Sequence, residues 1–329
     1  MADLPRRTLG RTGFTVAALG LGAGWIGEVP GVADDERNEL AVAAVRHAIT
    51  LGIDYVDTSP SYRGGASERR VGLALAGGWR DKVRLATKAG THPARSGDYS
   101  EAAVSWTVEQ SLRVLDVRMI DVLLVHDPDD MAPVMARNGA VDALERLKAQ
   151  GVIGAIGIGV QNHAHLRLAL DSGRFDVIQT PYDYNLMRTS AEPLLALAEL
   201  RNVGCINASP FQQGLLAGAD PDLEVARRTE TGGSTIRTAD LERARLLWHW
   251  AQEQRADLRA LAVQFCMRES RIATTLIGPR TSEEVEEDVR AASEDIPDEQ
   301  WQALMALLPT LPPAAAGGEV SIGSLPPIS

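Results

Sequence analysis

Residues 120–125 read Ile-Asp-Val-Leu-Leu-Val, a short apolar run that is followed by an amphipathic segment at 140–150. Residues 155–160 read Ala-Ile-Gly-Ile-Gly-Val and are followed in the same way by an amphipathic segment at 164–172. Short continuous apolar runs are typical of parallel strands buried on both faces, and the longer segments have helical periodicity. The two pairs therefore indicate consecutive β-α units.

The same alternation extends outward over most of the chain. The other six predicted strands are 17–21, 53–58, 83–87, 177–180, 205–208 and 272–277, and the predicted helices between them include 36–51, 68–75, 102–115 and 191–200. Eight such strands, each followed by a helix, predict a (β/α)8 TIM barrel of the α/β class. An open sheet is disfavoured because residues 20–24, Gly-Leu-Gly-Ala-Gly, lack the Gly-x-Gly-x-x-Gly spacing of a dinucleotide-binding turn.

Segments outside these units predict an N-terminal β-hairpin and extra C-terminal helices. The hairpin is expected around residues 10–13, Gly-Arg-Thr-Gly, where it would plug one end of the barrel. A polar loop at 229–238 precedes helical patterns at 241–253 and 258–268, which indicates an inserted active-site loop and an extra helix. We expect residues 1–308 to form a single domain. Residues 309–329 are rich in Pro, Gly, Ala and Ser, which predicts a surface tail without regular structure.

The composition is that of a globular protein. The chain has 329 residues, of which 45% are hydrophobic, and a formal net charge of −11, so its surface should repel nucleic acids and anionic membranes. Cys205 and Cys266 lie in apolar runs and are expected to be buried thiols of a reducing compartment. The N-terminal residues lack an apolar signal core, and no apolar run is long enough to span a membrane. We therefore expect a cytoplasmic protein, whose oligomeric state stays open.

Polar side chains follow three of the predicted strands. Asp57, Lys88 and His126 stand at the ends of strands two, three and four, and Tyr62 lies on the loop after strand two. Because the carboxyl ends of barrel strands meet at one rim, these side chains should converge there. A lysine ammonium stabilises a tyrosine phenolate and should lower its pKa from about 10, while an aspartate holds the lysine. The sequence thus predicts a tunable proton donor and acceptor.

The segments that carry these residues resemble the aldo-keto reductases. They are residues 57–62 with 67–68, 87–88 and 126–129, together with the opening 9–13 and the late segment 277–284. The resemblance spans most of the chain and implies a (β/α)8 barrel that binds NAD or NADP, with a tetrad of Asp57, Tyr62, Lys88 and His126. Tyr62 would exchange a proton with the substrate oxygen, Lys88 would tune Tyr62, Asp57 would hold Lys88 and His126 would orient the oxygen. No metal is implied.

Within the family, the chain looks most similar to the bacterial and plant aldose dehydrogenases of the galactose, fucose and arabinose type. The likeness lies in residues 154–162, 206–210 and 214–216. Such enzymes oxidise the anomeric hydroxyl of a sugar to a lactone, so the resemblance implies a small sugar as substrate. Two alternatives stay open. One is an NADPH-dependent aldehyde or ketone reductase, including a natural-product tailoring enzyme, and the other is a non-catalytic, cofactor-binding regulatory subunit.

The resemblance also implies the coenzyme and substrate contacts. The usual Gly-x-Ser-Asn is absent at 157–160, so Gln161 or Asn162 would contact the nicotinamide carboxamide, with Gln179 as a further contact. The aromatic residue that commonly precedes Ser-Pro is Ala208 here, which leaves Phe211 as the candidate stacking surface. The remaining coenzyme candidates are Ser209, Gly214, Leu215, Ile277, Gly278, Arg280, Glu284, Glu287 and Asp288, and the substrate-pocket candidates are Trp25 and Tyr184.

The adenosine end leaves NAD and NADP equally open. Arg280 can stack on adenine or pair with a 2′-phosphate, and a helix that begins near Ser282 would favour a phosphate at its N-terminus. Glu284, Glu287 and Asp288 can accept hydrogen bonds from adenine or ribose but would repel a 2′-phosphate.

Overall fold

Eight parallel strands close into a barrel in this protein. The computed structural model describes residues 4–230 and 236–316. The barrel strands are β3 (Leu19–Gly22), β4 (Tyr55–Asp57), β5 (Arg84–Ala89), β6 (Ile120–His126), β7 (Ile153–Gly159), β8 (Val177–Pro181), β9 (Gly204–Ala208) and β10 (Ile272–Ile277). They neighbour one another in chain order, and β10 pairs with β3 to complete the closure. The predicted (β/α)8 barrel is confirmed.

Helices surround the barrel. They are α1 (Asp34–Thr50), α2 (Ala66–Leu75), α3 (Glu101–Leu115), α4 (Met131–Met135), α5 (Ala140–Ala149), α6 (His163–Ser172), α7 (Glu192–Leu200), α8 (Pro221–Glu230), α9 (Thr238–Gln254), α10 (Leu258–Arg268), α11 (Ser282–Ser293) and α12 (Asp298–Leu307). Every strand and helix that the sequence patterns predicted lies within three residues of its expected bounds.

The N-terminal hairpin closes the amino end of the barrel, as expected. Strands β1 (Arg6–Thr8) and β2 (Thr15–Ala17) pair antiparallel. Leu9, in the connection between them, is fully buried and belongs to the cluster of side chains inside the barrel. Gly10 follows with φ of +50°, and a Cβ there would lie 2.2 Å from the backbone nitrogen of Gly204. A glycine is required at this position because both the dihedral angle and the close approach exclude a side chain.

Alternate residues of each strand face opposite sides, and both sides are buried. In β6, Val122 and Leu124 belong to the cluster inside the barrel, whereas Leu123 and Val125 pack outward with the helices. This arrangement explains why the strands read as continuous apolar runs rather than as alternating ones. Because the apolar residues of the strands are used in packing, a functional site is expected to be built from the polar residues at the strand ends.

The segment after β9 differs most from the prediction. Helix α8 was not predicted, because Pro221–Glu230 carries few apolar residues and reads as a charged loop. The predicted loop at 229–238 falls partly on residues 231–235, which lie outside the described residues. In the tail, Leu308–Thr310 forms a short 3-10 turn and residues 311–316 have no regular structure. Residues 317–329 also lie outside the described part of the chain.

Candidate active site

The strand register brings the four predicted catalytic side chains to the carboxyl end of the barrel. Asp57 ends β4, Lys88 stands next to last in β5, and His126 ends β6. These three residues are almost fully buried. Tyr62 begins a short 3-10 turn that follows β4 and leads into α2. The predicted convergence of these residues is therefore present, while their catalytic roles stay predictions.

Lys88 is the centre of the group. Its Nζ donates a hydrogen bond to Oδ1 of Asp57 at 2.5 Å and another to the carbonyl oxygen of Thr58 at 2.8 Å. The same nitrogen lies 4.6 Å from the centre of the Tyr62 ring. Burial lowers the pKa of Lys88, but the charge of Asp57 and the contact with Tyr62 outweigh it and raise the pKa above its usual value. Lys88 is therefore a cation at physiological pH.

His126 presents a neutral imidazole. Burial, followed by the charge of Lys88, holds its pKa well below the usual value. Its Nδ1 lies 2.6 Å from Oγ1 of Thr91, and its Nε2 lies 3.3 Å from Oδ2 of Asp127. Because a carboxylate can only accept, we assign the hydrogen to Nε2 and let Nδ1 accept from Thr91. The ring of Tyr62 meets that of His126 edge to face at 5.7 Å between centres.

The pKa of Tyr62 corrects one expectation. Burial raises it to about 12, although the nearby Lys88 cation pulls it down. The lysine alone would lower this pKa, but the burial of the phenol has the larger effect here. In this structure Tyr62 is therefore a neutral proton donor at neutral pH.

Trp25 and Arg63 form one side of the mouth above Tyr62. The backbone of Gly24 packs against the Tyr62 ring, since a Cβ there would lie 3.6 Å from two ring carbons. Trp25, the next residue, is 44% exposed, and the guanidinium carbon of Arg63 lies 3.4 Å from its ring centre. The Trp25 side chain is thus placed where a substrate could touch it.

Tyr184 differs from its prediction as a pocket residue. Its ring is buried in the layer between barrel and helices, where it stacks on Phe265 of α10 at 5.6 Å. Its hydroxyl donates to Glu269, just before β10 begins. The chain after β8 runs outward here, so the tyrosine supports α10 instead of lining the mouth.

Gln179, which the resemblance makes a candidate contact for a nicotinamide carboxamide, lies near His126 at the carboxyl end of the barrel. The pairing of β6, β7 and β8 sets His126 beside Gly159 and Gly159 beside Gln179. A Cβ at Gly159 would lie 3.6 Å from Cβ of Gln179, so the glycine leaves room for one small group there. Gln179 is buried, and its Oε1 has no hydrogen-bond partner among the residues that the structure describes. A buried acceptor without a partner is costly unless a ligand supplies the donor, which an amide group would do.

The two other carboxamide candidates have partners of their own. Asn162 caps α6, because its Oδ1 accepts from the backbone nitrogens of Ala164 and His165. Gln161 is buried and donates to Asp183 at 3.4 Å. Of the three candidates, Gln179 therefore fits an amide ligand best.

The loop after β9 is wound into tight turns. Ser209, Gln212 and Gln213 all have left-handed backbone angles, and Gly214 follows with φ of +89°. Leu215 is buried, and Phe211 packs partly against the core. Because helix α8 places Glu224 against Gly214, this loop is covered from outside. The coenzyme candidates Ser209, Phe211, Gly214 and Leu215 thus share one preformed segment.

The candidates for the adenosine end lie where β10 passes into α11. Ile277 ends β10, Gly278 is exposed, and Thr281 caps α11 with its side chain. Arg280 donates to Oε1 of Glu284 at 2.8 Å, and its backbone nitrogen donates to Oε2 of the same residue at 2.7 Å. The predicted helix start at Ser282 is confirmed, and the candidate phosphate ligand Arg280 is paired with a carboxylate.

The two further acids of α11 face Arg259 of α10. A carboxylate oxygen of Glu287 lies 2.7 Å from Nη1 of Arg259, and one of Asp288 lies 3.2 Å from the same atom. The Nε group of Arg259 donates to the carbonyl oxygen of Ala217 in the loop after β9. Burial raises the pKa of Asp288 to about 7, against the influence of Arg259. These acids therefore join α11 to the β9 loop as well as bordering the adenosine end.

Sequence reasoning missed two residues around His126. Thr91 follows the end of β5 by two positions, so a search for polar residues just after strands could have found it. Asp127 lies in the segment 126–129 that carries the resemblance, but no role was predicted for it. Its contact with Nε2 of His126 depends on a backbone turn that the sequence does not reveal. Within residues 4–230 and 236–316, no three His, Cys, Asp or Glu side chains are grouped to hold a metal. No helix of this part is long and apolar enough to cross a membrane.

Proteins of known activity and known structure are similar to this chain over most of its length. L-galactose dehydrogenase of Arabidopsis thaliana is 30% identical over 301 residues, which cover 89% of this chain and 90% of that protein. D-threo-aldose 1-dehydrogenase of Pseudomonas sp is 31% identical over 327 residues, covering 91% and 96%. The solved holo form of an aldo-keto reductase from Bacillus halodurans has the same fold, with a TM-score of 0.75 at 24% identity over 93% of this chain and 96% of that one.

A sequence profile described as the aldo/keto reductase family matches residues 18–309, which is most of the chain. The barrel, the buried Lys88 between Asp57 and Tyr62, and this match lead to one conclusion. The chain belongs to the aldo/keto reductase family and is an NAD(P)-dependent oxidoreductase that acts on carbonyl or hydroxyl groups.

Proposed function

We propose that the protein is an aldose 1-dehydrogenase, which oxidises the anomeric hydroxyl of a small sugar to a lactone. The observation that carries the chemistry is the placement of Lys88 between Asp57 and Tyr62 beside a neutral His126. The sugar substrate is supported by the two relatives at 30% and 31% identity, both of which are named for the oxidation of sugars.

The proton moves through Tyr62. In the oxidative direction its oxygen takes the proton of the anomeric hydroxyl while the C1–H bond breaks and the hydride leaves. The Tyr62 phenol must first release its own proton to water, and the Lys88 cation stabilises the phenolate that forms. Asp57 keeps Lys88 charged and in place. With substrate bound, the Nε2–H group of His126 would donate to the reacting oxygen in place of Asp127 and so hold that oxygen beside the phenol. When bound, the oxidised nicotinamide coenzyme accepts the hydride.

The residues present fit such a coenzyme. The unpartnered Oε1 of Gln179 is the acceptor that a carboxamide NH₂ group would use. The wound loop with Ser209, Gly214 and Leu215 would hold the middle of the molecule, and Arg280 at the start of α11 the adenosine end. NAD and NADP both stay candidates.

One observation favours a second function, the NADPH-dependent reduction of aldehydes or ketones. A tyrosine whose pKa is raised to about 12 is protonated at neutral pH. It can donate its proton to a developing alkoxide without prior ionisation, whereas oxidation needs the less populated phenolate. The reductive direction is therefore the easier one for the isolated protein at neutral pH.

A nicotinamide absorbance assay separates these functions. Purified protein is mixed with a panel of aldoses and NAD or NADP at alkaline pH, and with aldehydes and ketones and NADH or NADPH at neutral pH. Formation of reduced coenzyme with an aldose supports the dehydrogenase. Consumption of reduced coenzyme with carbonyl compounds, without reaction with any aldose, would favour the reductase over the dehydrogenase. No absorbance change in either assay would favour the non-catalytic, cofactor-binding role.

A further inference from the structure

Asp127 has an unusual backbone at the edge of the site. It follows the last residue of β6 and has φ of +41°, in the left-handed region that non-glycine residues rarely adopt. Its backbone nitrogen donates to the carbonyl oxygen of Gly159 at 2.9 Å, which fixes the turn. Strained backbone positions cluster at active sites and ligand-binding sites, and aspartate adopts this conformation more readily than most residues. Here the turn directs the carboxylate back over the imidazole of His126.

The carboxylate faces the mouth of the barrel. Its Oδ2 lies 3.3 Å from Nε2 of His126, yet the side chain is 40% exposed where that of His126 is 10% exposed. Among the residues that the structure describes, the Asp127 side chain makes no other ion pair or hydrogen bond. One carboxylate oxygen therefore contacts the catalytic imidazole, and the group as a whole can accept further hydrogen bonds from a molecule in the mouth.

The position suits a particular pair of substrate oxygens. In the free protein the Nε2–H group of His126 faces Oδ2 of Asp127 at 3.3 Å. A reacting oxygen that takes over this hydrogen bond therefore lies beside the Asp127 carboxylate, which is left to accept from another group. Hydroxyls on adjacent carbons of a sugar are separated by about one hydrogen-bond length. A substrate with a hydroxyl next to the reacting carbon can therefore place one oxygen on His126 and the other on Asp127.

We propose that Asp127 is a substrate-binding residue that accepts a hydrogen bond from the hydroxyl on the carbon next to the reacting one. The proposal rests on the site of the proposed function and makes hydroxylated carbonyl compounds and sugars the preferred substrate class. Hydrogen bonds to a charged group discriminate strongly, because an analogue without the hydroxyl leaves the carboxylate without its partner.

The charge of Asp127 agrees with this role. Burial raises its pKa to about 6, with Lys88 lowering it and Asp129 raising it. The carboxyl group is therefore mostly ionised at neutral pH and acts as an acceptor. Its negative charge also raises the pKa of Tyr62 slightly. Binding of a hydroxyl is the role that its charge favours.

The test compares two three-carbon aldehydes, glyceraldehyde and propanal, which differ in the hydroxyls. Their reduction by NADH or NADPH is measured for the wild-type protein, Asp127→Ala, Asp127→Asn and Asp129→Asn. We expect Asp127→Ala to lower the kcat/KM ratio of glyceraldehyde to propanal by about tenfold or more, mostly through the KM of glyceraldehyde. Asp127→Asn keeps an acceptor oxygen and should lose less. Asp129→Asn removes an exposed charge nearby and should leave the ratio unchanged.

An equal loss on both aldehydes would overturn the proposal, since it would mean that Asp127 acts only through His126. A wild-type protein that does not prefer glyceraldehyde would overturn it as well. The aldose assay is independent of this outcome. If no aldose is oxidised but the ratio falls in Asp127→Ala, the aldose dehydrogenase fails and the hydroxyl-binding role stands.

Discussion

Nζ of Lys88 lies 2.5 Å from Oδ1 of Asp57, and both groups are nearly inaccessible to solvent. A buried ammonium would ordinarily lose its proton, but the carboxylate keeps it charged. The ion pair thus maintains a fixed positive charge beneath the ring of Tyr62, which is the group that must change its protonation state.

Tyr62→Phe removes the phenol and keeps the ring. Because the phenol is the group that we propose to exchange the proton with the substrate oxygen, we expect turnover to fall by about 10² or more in both directions. The affinity for NADH, measured by fluorescence titration, should change little, since the ring still packs against Gly24. Turnover within a few-fold of wild type would refute the role of Tyr62.

Lys88→Met removes the cation that stabilises the phenolate. The pKa of Tyr62, already raised to about 12 by burial, should rise further without Lys88, because Lys88 is the group that lowers it. Oxidation depends on the phenolate, so its rate should fall, and the rising limb of its pH profile should move to higher pH. Lys82→Met, the same change at an exposed lysine, serves as the control and should leave the profile in place. A profile of unchanged position in Lys88→Met would contradict the assignment.

The sequence could predict most of this site because the barrel fixes the ends of its strands. Once Asp57, Lys88 and His126 are placed on parallel strands, their convergence follows from the fold alone. The pKa of Tyr62 could not be obtained in this way, since it depends on how deeply the loop after β4 sinks into the mouth. The prediction that Tyr184 lines the substrate pocket was wrong for a related reason. The chain that leaves β8 turns outward because it packs against α10, where Tyr184 stacks on Phe265. Such a long-range contact cannot be read from the local sequence pattern of a loop.

Gly72→Ala should destabilise the protein, although alanine favours helices. A Cβ at Gly72 in α2 would lie 2.8 Å from the carbonyl oxygen of Val114 and 2.9 Å from Cα of Leu115 in α3. Both are backbone atoms, so the two helices would have to move apart, at a cost of about 1–3 kcal/mol. Urea unfolding measures the loss. The control is Gly278→Ala, where a Cβ meets nothing within 4 Å and stability should stay within about 0.5 kcal/mol. Equal stability of both variants would show that the α2–α3 contact can relax.

The segment 311–316 should stabilise the fold through α9. Arg243 is nearly buried and donates to the carbonyl oxygens of Leu308 and Pro312, and Asp240 accepts from the backbone nitrogen of Ala315. A chain that ends at residue 310 loses the last two of these contacts, whereas a chain that ends at 316 keeps all three. We expect the shorter chain to lose about 1–3 kcal/mol of unfolding free energy relative to the longer one. Indistinguishable unfolding curves would mean that the contacts do not contribute.

Glu284→Gln should shift the coenzyme preference toward NADP. The Glu284 carboxylate accepts hydrogen bonds from the guanidinium and from the backbone nitrogen of Arg280. It therefore neutralises the one guanidinium that is predicted to meet a 2′-phosphate. Its own charge would also repel that phosphate. The glutamine can still accept from the backbone nitrogen and so keep the start of α11 in place, while Arg280 gains a free charge.

The measured quantity is the ratio of kcat/KM for NADP to that for NAD, with one substrate throughout. We expect this ratio to rise by about tenfold in Glu284→Gln, because the variant both removes a repulsion and frees a phosphate ligand. Glu286→Gln changes the net charge equally on an exposed position of the same helix and should leave the ratio near its wild-type value. A matching rise in both variants would mean that the general charge of α11 sets the preference. If the NADP-to-NAD ratio of kcat/KM is unchanged in Glu284→Gln, the 2′-phosphate of NADP does not bind next to Arg280.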